Sequence, residues 1–344
     1  MTNYFISGGV GFQGSHLSEG LARDGHYVRI LNTPSEHARN NYNRYLKKYD
    51  NIDVVWGSVT DAELLDSCMG DIEVIFHLAA KINIDESLIK PRHYGNVNLK
   101  GTTNILTETY KHQVPTILAS TCEVYGENLY GDINVLESAR KLGIQVVHVS
   151  SAAVYGKLEK QEKYLMNELH PLRPQSPYAA SKAAGDRMAY AYIRSYNLPI
   201  TIVRPFNIYG PRQKDKGFGA VIPIFFRLAS QDKILTVNGD GTQTRDFLHV
   251  DDLVRGYRLI ADTMELRGQV VNMGSSSETE IGWLAKEIVK RVGKGKIRYG
   301  EARAGEVDSF IADNSILRSH GFEKNISMSE GLDKYWEFLQ EKGL

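Results

Sequence analysis

At 344 residues, 42% hydrophobic and 24% charged, the chain has the composition of an ordinary soluble protein and the length for one large or two modest domains. Lysine plus arginine equals aspartate plus glutamate at 41 each, so no global field favours nucleic acid or an anionic membrane, and any anion must be met locally. Two cysteines, Cys68 and Cys122, make no disulfide framework. The start Met1-Thr2-Asn3-Tyr4 lacks an export signal, and no apolar run approaches the roughly 20 residues of a membrane helix, so a cytoplasmic location is expected.

Tyr4 to Ser7 reads as a short buried strand running into Gly8-Gly9-Val10-Gly11-Phe12-Gln13-Gly14 and then an amphipathic helix with Leu17, Leu21 and Ala22 inward. Gly8, Gly11 and Gly14 have the spacing that lets a backbone turn tightly and approach a pyrophosphate at the positive end of the helix. A strand from Tyr27 to Leu31 follows and ends at Asn32, where a dinucleotide site often carries an acid for the ribose hydroxyls. An amide does not repel a 2′-phosphate, and Arg39 and Arg44 follow closely, so NADP stays open beside NAD.

Strands at Ile52 to Trp56, Val74 to Leu78 and Thr201 to Arg204, with a long helix from about Pro91 to Lys111, continue the alternation to residue 206. That pattern predicts an α/β fold, a Rossmann-type doubly wound parallel sheet with helices on both faces. After Pro205 the pattern loosens into Gly- and Pro-rich segments and an amphipathic helix near Ile281 to Val292. Residues 1–206 are therefore expected to form a dinucleotide-binding domain. Residues 207–344 are expected to form a smaller substrate domain, with segments near 236–265 packing back on the first.

Between these parts lies Tyr178-Ala179-Ala180-Ser181-Lys182, a phenol and an ammonium one helical turn apart on one face. A tyrosine has an ordinary pKa of about 10, too high for a base at neutral pH, and a neighbouring cation lowers it. The motif alone is weak, since such pairs also occur on solvated helices. The scattered His77, His148 and His249 lack the spacing of a zinc helix, and no metal is expected.

Taken in order, these segments resemble an extended short-chain dehydrogenase/reductase of the NAD-dependent nucleotide-sugar epimerase and dehydratase group. The marks are the glycine loop, His77-Leu78-Ala79-Ala80, Pro91 followed by Asn96-Val97 and Gly101-Thr102, Ser150-Ser151-Ala152-Ala153-Val154-Tyr155-Gly156, and Ser176-Pro177-Tyr178 to Lys182. Arg204-Pro205-Phe206-Asn207-Ile208-Tyr209-Gly210-Pro211-Arg212 and Arg245-Asp246-Phe247 complete them. The resemblance implies a tightly held nicotinamide cofactor that oxidises a sugar carbon and later returns the hydride. Tyr178 would take the proton of the sugar 4-hydroxyl, Lys182 would bond the nicotinamide ribose, and Ser151 would bond the reacting hydroxyl. Cofactor contacts fall on Gly8, Gly11, Phe12, Gln13, Gly14, Asn32, Leu78, Ala79 and Ala80. Ser58 stands near the position where relatives often carry an acid for the adenine. Asn207, Arg245 and Arg303 match positions that hold a substrate diphosphate, and Arg212 joins them as a candidate. The partner implied is a nucleoside-diphosphate sugar, and a homodimer is expected through the helix near 91–111 and the Tyr178 helix.

One feature departs from the family: residues 101–127 and 131–157 form a tandem helix-strand repeat offset by 30. Identical pairs include Gly101/Gly131, Asn104/Asn134, Leu106/Leu136, Lys111/Lys141, Ser120/Ser150 and Tyr125/Tyr155. The first copy ends Ser120-Thr121-Cys122-Glu123 and resembles the dehydratase branch, where Thr121 and Glu123 would be catalytic; the second, with Ser151, resembles the epimerase branch. Ser151 reaches Tyr178 across 26 residues, the usual family distance, whereas Thr121 would need 56. The second copy is therefore expected in the active site of a 4-epimerase and the first beside the sheet. A 4,6-dehydratase and an inactive cofactor-binding regulator are the alternatives.

Overall fold

The computed structural model describes residues 1–80, 92–93, 96–114, 116–118, 133, 136–137, 139–141, 143, 145–156, 165–175, 177–213, 220–302, 309 and 311–343, with the backbone alone at 98, 99, 117, 118, 177, 178 and 181. It divides into two compact units interleaved along the chain. One holds Met1–Val154, Ser176–Arg204 and Tyr257–Val271, and the other Tyr155–Gln175, Pro205–Gly256 and Asn272–Leu344.

The first unit is built on β1 (Asn3–Ser7), β2 (Tyr27–Asn32), β3 (Ile52–Trp56), β4 (Val74–His77), β5 (Thr116–Leu118), β6 (Val146–Val149), β7 (Ile200–Pro205) and β12 (Val270–Met273). They form one eight-stranded sheet in the order β12-β7-β6-β5-β4-β1-β2-β3. Pairing among β1 to β7 is parallel throughout. All four residues of β6 and the first five of β7 are buried, as expected of parallel strands covered on both faces. Helices of this unit include α1 (Phe12–Arg23), α2 (Glu36–Asn41), α3 (Ala62–Ser67), α4 (Gly101–His112) and α5 (Pro177–Tyr196). Ser35 and Asp61 start α2 and α3 by accepting from the Ala38 and Leu64 amides.

The first copy of the repeat does not lie beside the sheet, as its sequence suggests, but inside it. β5 pairs with β4 through Ile75↔Thr116, Phe76↔Ile117 and His77↔Leu118, and with β6 through Thr116↔Val146, Ile117↔Val147 and Leu118↔His148. The physical reason is hydrogen-bond satisfaction: a strand between two others pairs both edges, whereas a strand set aside leaves its amides and carbonyls exposed. The helices follow the strands. Leu106 of α4 shares a core cluster with Leu136 and Ala139 of the second copy and with Val146, Ile200 and Ile202, while Ile105 packs with Val59, Leu65 and Ile75.

The second unit pairs β8 (Asn207–Tyr209) with β11 (Phe247–His249) and β9 (Ile234–Asn238) with β14 (Lys296–Gly300), both parallel. β10 (Thr244–Arg245) pairs antiparallel with β13 (Thr279–Glu280). Its core includes Phe226, stacked on Tyr335 at 5.0 Å between ring centroids. Among the described residues, no helix is long and apolar enough to cross a membrane.

Candidate active site

The glycine loop is shaped by close approach. Gly8 has φ +75°, and a Cβ there would stand 2.8 Å from the Ala79 nitrogen. A Cβ on Gly14 would stand 2.2 Å from the Gly8 carbonyl oxygen, so only glycine lets α1 pack on the loop. Helix α1 starts at Gly11 with no side-chain cap and no acid in its first turn, which holds Phe12, Gln13 and Gly14. Its leading amides are thus left for an anion, and these residues fit a dinucleotide pyrophosphate.

The loop after β4 is fixed to β1: the Leu78 amide donates to the Ser7 carbonyl at 3.0 Å and the Ala79 amide to Ser7 Oγ at 3.3 Å. Ala80 follows, half-buried. Behind them His77 Nδ1 lies 2.5 Å from Ser7 Oγ and Nε2 lies 2.9 Å from Thr102 Oγ1, and burial pushes the imidazole down to about 4. Asn32 ends β2 opposite Trp56, its amide donating to the Thr33 carbonyl at 3.0 Å. Arg39 stands 5.1 Å over the Trp56 ring and Arg44 5.8 Å over that of Tyr45. Ser58 Oγ is held by Thr60, 2.8 Å from its hydroxyl and 3.2 Å from its amide.

At the end of β6, the Ser150 amide donates to the Val203 carbonyl at 2.7 Å, and half-buried Ser151 begins the turn Ala152–Tyr155. Its Oγ accepts from the Ala153 amide at 3.2 Å. Lys182, on α5, is buried and donates from Nζ to the Val149 carbonyl at 3.0 Å. The ammonium therefore reads the same strand end that presents Ser151. Tyr178 lies in the first turn of α5, one turn before Lys182; its side chain, like Thr121, Glu123 and Arg303, is outside the described residues.

One turn beyond Lys182, Asp186 is fully buried and accepts from Arg204 Nε and Nη2, each at 2.8 Å. Burial works to raise this carboxyl, but Arg204 and then Arg187 outweigh it and hold it at about 2. The pair fastens α5 to β7. Sequence reasoning used Arg204 only as a family mark, although Asp186 stands four residues from Lys182 on the same face.

In the second unit, Asn207 donates from Nδ2 to the Asp246 carbonyl oxygen at 2.8 Å, which sets it beside the Arg245-Asp246-Phe247 segment. Arg245 donates from Nη1 to the Thr244 carbonyl at 2.7 Å. Arg212 is buried with φ +69°. Asp246, which the sequence offered only as a family mark, accepts from the Ser275, Ser276 and Ala312 amides at 2.6, 2.9 and 3.1 Å, ordering the segment around Arg245. His77, His148 and His249 are each buried in a strand; His112, not weighed in the sequence, stands four residues from Glu108 on α4.

Two family models match. Residues 5–130 match GDP-mannose 4,6 dehydratase, and residues 127–274 match the NAD dependent epimerase/dehydratase family. They meet where one copy of the repeat gives way to the other. A putative UDP-glucose 4-epimerase of Methanocaldococcus jannaschii is 30% identical over 97% of both chains. A UDP-glucose 4-epimerase of Mycolicibacterium smegmatis is 31% identical over 98% of both. Among solved structures, the UDP-glucose 4-epimerase of Thermotoga maritima, with UDP-glucose, is 25% identical with a TM-score of 0.73 over 100% of both chains. The dTDP-glucose 4,6-dehydratase of Bacillus anthracis, in complex with NAD, is 25% identical with a TM-score of 0.73 over 99% of this chain and 97% of that one.

Proposed function

Because the chain belongs to the extended short-chain dehydrogenase/reductase family of NAD-dependent epimerases and dehydratases, we propose that it is a nucleotide-sugar 4-epimerase working through a 4-keto sugar. The observation that carries this reading is the Lys182 bond to the Val149 carbonyl. It couples the Tyr178 helix to the second copy of the repeat, whose strand presents Ser151 and whose loop holds no acid.

The Gly8 to Gly14 loop would hold NAD, whose nicotinamide would supply a reversible hydride acceptor. Tyr178 would accept the 4-hydroxyl proton and return it to the ketone. Lys182 would keep the phenol acidic and bond the ribose, and Ser151 would hold the reacting oxygen. Asn32, Ser58, Leu78, Ala79 and Ala80 would line the dinucleotide, with NAD favoured over NADP although Arg39 stands near Asn32. Asn207, Arg212, Arg245 and Arg303 would hold the diphosphate, an anion suited to arginine's planar fork of donors. Assembly as a cytoplasmic homodimer through α4 and α5 belongs to the same proposal.

A specific observation favours a second reading, the 4,6-dehydratase with Thr121 and Glu123. β5, the strand of the first copy, is the direct neighbour of β4, which places β6 two strands from β4, roughly 9–10 Å at about 4.8 Å per strand. Single substitutions separate the two. For the epimerase, Ser151→Ala lowers turnover by about 100-fold or more, the scale of losing a key transition-state hydrogen bond, while Thr121→Val and Glu123→Gln leave it near wild type. The reverse pattern assigns the site to the first copy.

A further inference from the structure

Three side chains away from the residues assigned to cofactor and substrate converge where α3 meets α4. Asp66 comes from the last turn of α3, and Glu108 and His112 stand four apart on α4, a spacing that places them on one helix face. One ligand atom from each lies within 4.8 Å of the others. His112 Nε2 is 3.4 Å from Glu108 Oε2 and 3.5 Å from Asp66 Oδ1. Both separations exceed the roughly 2.7–3.2 Å of an N–H···O hydrogen bond. They match the edges of a tetrahedron instead: metal bonds of about 2.0–2.2 Å to nitrogen and oxygen give ligand-to-ligand edges of about 3.3–3.6 Å.

The Glu108 side chain is only 7% exposed. Its Oε2 and the His112 Nε2 are both enclosed and held only at ion-pair distances, without a hydrogen bond of normal geometry. A buried carboxylate oxygen left in that state is costly, and a cation between the two atoms would satisfy both. Lys111 supplies a nearby cation, pairing with Asp66 and lying 3.8 Å from Glu108 Oε2. Its side chain is half-exposed, so its ammonium can be displaced into water. The pattern belongs to the first copy alone, since the corresponding positions of the second are Ser138 and Leu142.

We propose that Asp66, Glu108 and His112 bind a divalent transition-metal ion, with zinc the best match to two carboxylates and an imidazole. The ion displaces the Lys111 ammonium from Asp66 and ties α3 to α4. Water completes its coordination on the side where Asp66 is 47% exposed. The metal would thus be a structural clamp on the helix of the first copy, separate from hydride chemistry.

The test is a zinc titration of untagged, chelator-stripped holoenzyme against a chromophoric competitor, repeated with cobalt for its visible spectrum. One tightly bound equivalent per chain is expected. His112→Ala and Asp66→Asn, made separately, weaken binding by more than the roughly 10–100-fold typical of outer-shell changes. Lys111→Met tightens it by removing the competing cation. Both ligand positions are partly exposed, and thermal melts of the metal-free variants check that each is folded. The site is overturned if neither wild type nor Lys111→Met binds zinc, or if binding survives His112→Ala and Asp66→Asn unchanged.

Discussion

Replacing Asp186 by asparagine removes the charge that holds α5 against β7 and takes from the buried Arg204 guanidinium the carboxylate that its Nε and Nη2 bond. Both residues have 0% exposure, and two bonds of 2.8 Å join them. The carboxyl is held at about 2, against an ordinary value of 3.8; at about 1.4 kcal/mol per pKa unit this corresponds to about 2–3 kcal/mol of stability tied to ionisation. The loss of two bonds to a buried guanidinium adds to that, so the expected loss is about 3–5 kcal/mol, the range for breaking a buried pair. The assay is urea unfolding near neutral pH. A folded pKa below the unfolded one gives stability that is complete above about 4 and is lost as pH falls through about 2, so the gap between wild type and Asp186→Asn narrows across that window. Asp186→Leu combined with Arg204→Met recovers most of the loss, because apolar side chains then replace both members of the buried pair. A cost under about 1 kcal/mol, or a gap that does not change on acidification, refutes the reasoning.

Tyr178→Phe lowers turnover by about 100-fold or more, the usual contribution of a positioned acid-base group, while NAD binding measured by fluorescence stays near wild type; unchanged turnover contradicts the assigned role. For His77, a folded pKa of about 4 against about 6.5 unfolded makes stability fall as pH drops between those values, by up to about 3 kcal/mol, and urea midpoints across that window that fail to fall exclude it. Excision of residues 101–130 joins Lys100 to Gly131 and leaves one copy of the repeat. Gly101, whose Cβ would stand 2.4 Å from Val59 Cγ2, and Asn104, which donates to the Val59 carbonyl at 2.9 Å, dock α4, and the second copy repeats both residue types at Gly131 and Asn134. The shortened chain should therefore fold cooperatively, retain NAD and turn over at least as fast; a chain that melts without cooperativity shows that β5 is indispensable.

The strands β1 to β4 and β7, the glycine loop and the Lys182 helix were legible because each rests on a local pattern: a buried run, a glycine spacing, a four-residue step. What was not legible depends on partners distant in sequence. Nothing local says that β5 enters the sheet between β4 and β6, since its three residues would suit an edge equally well, and only the pairing of both its edges decides it. Asp186 and Asp246 escaped for a similar reason. One finds its cation 18 residues away, and the other finds three amides, from Ser275, Ser276 and Ala312, in segments far along the chain. Glu108 and His112 carried a helical spacing in plain view, but Asp66, 46 residues before His112, gives the pair its third member.

The most direct measurement of the proposed chemistry is proton NMR of the products formed from a panel of UDP-, GDP-, CDP- and dTDP-sugars by purified enzyme, without added reductant. A 4-epimerase yields an equilibrium mixture of one sugar and its C4 epimer, still attached to the nucleotide and with the C6 oxygen retained. A product bearing a C6 methyl beside a C4 ketone contradicts the epimerase and transfers the site to Thr121 and Glu123.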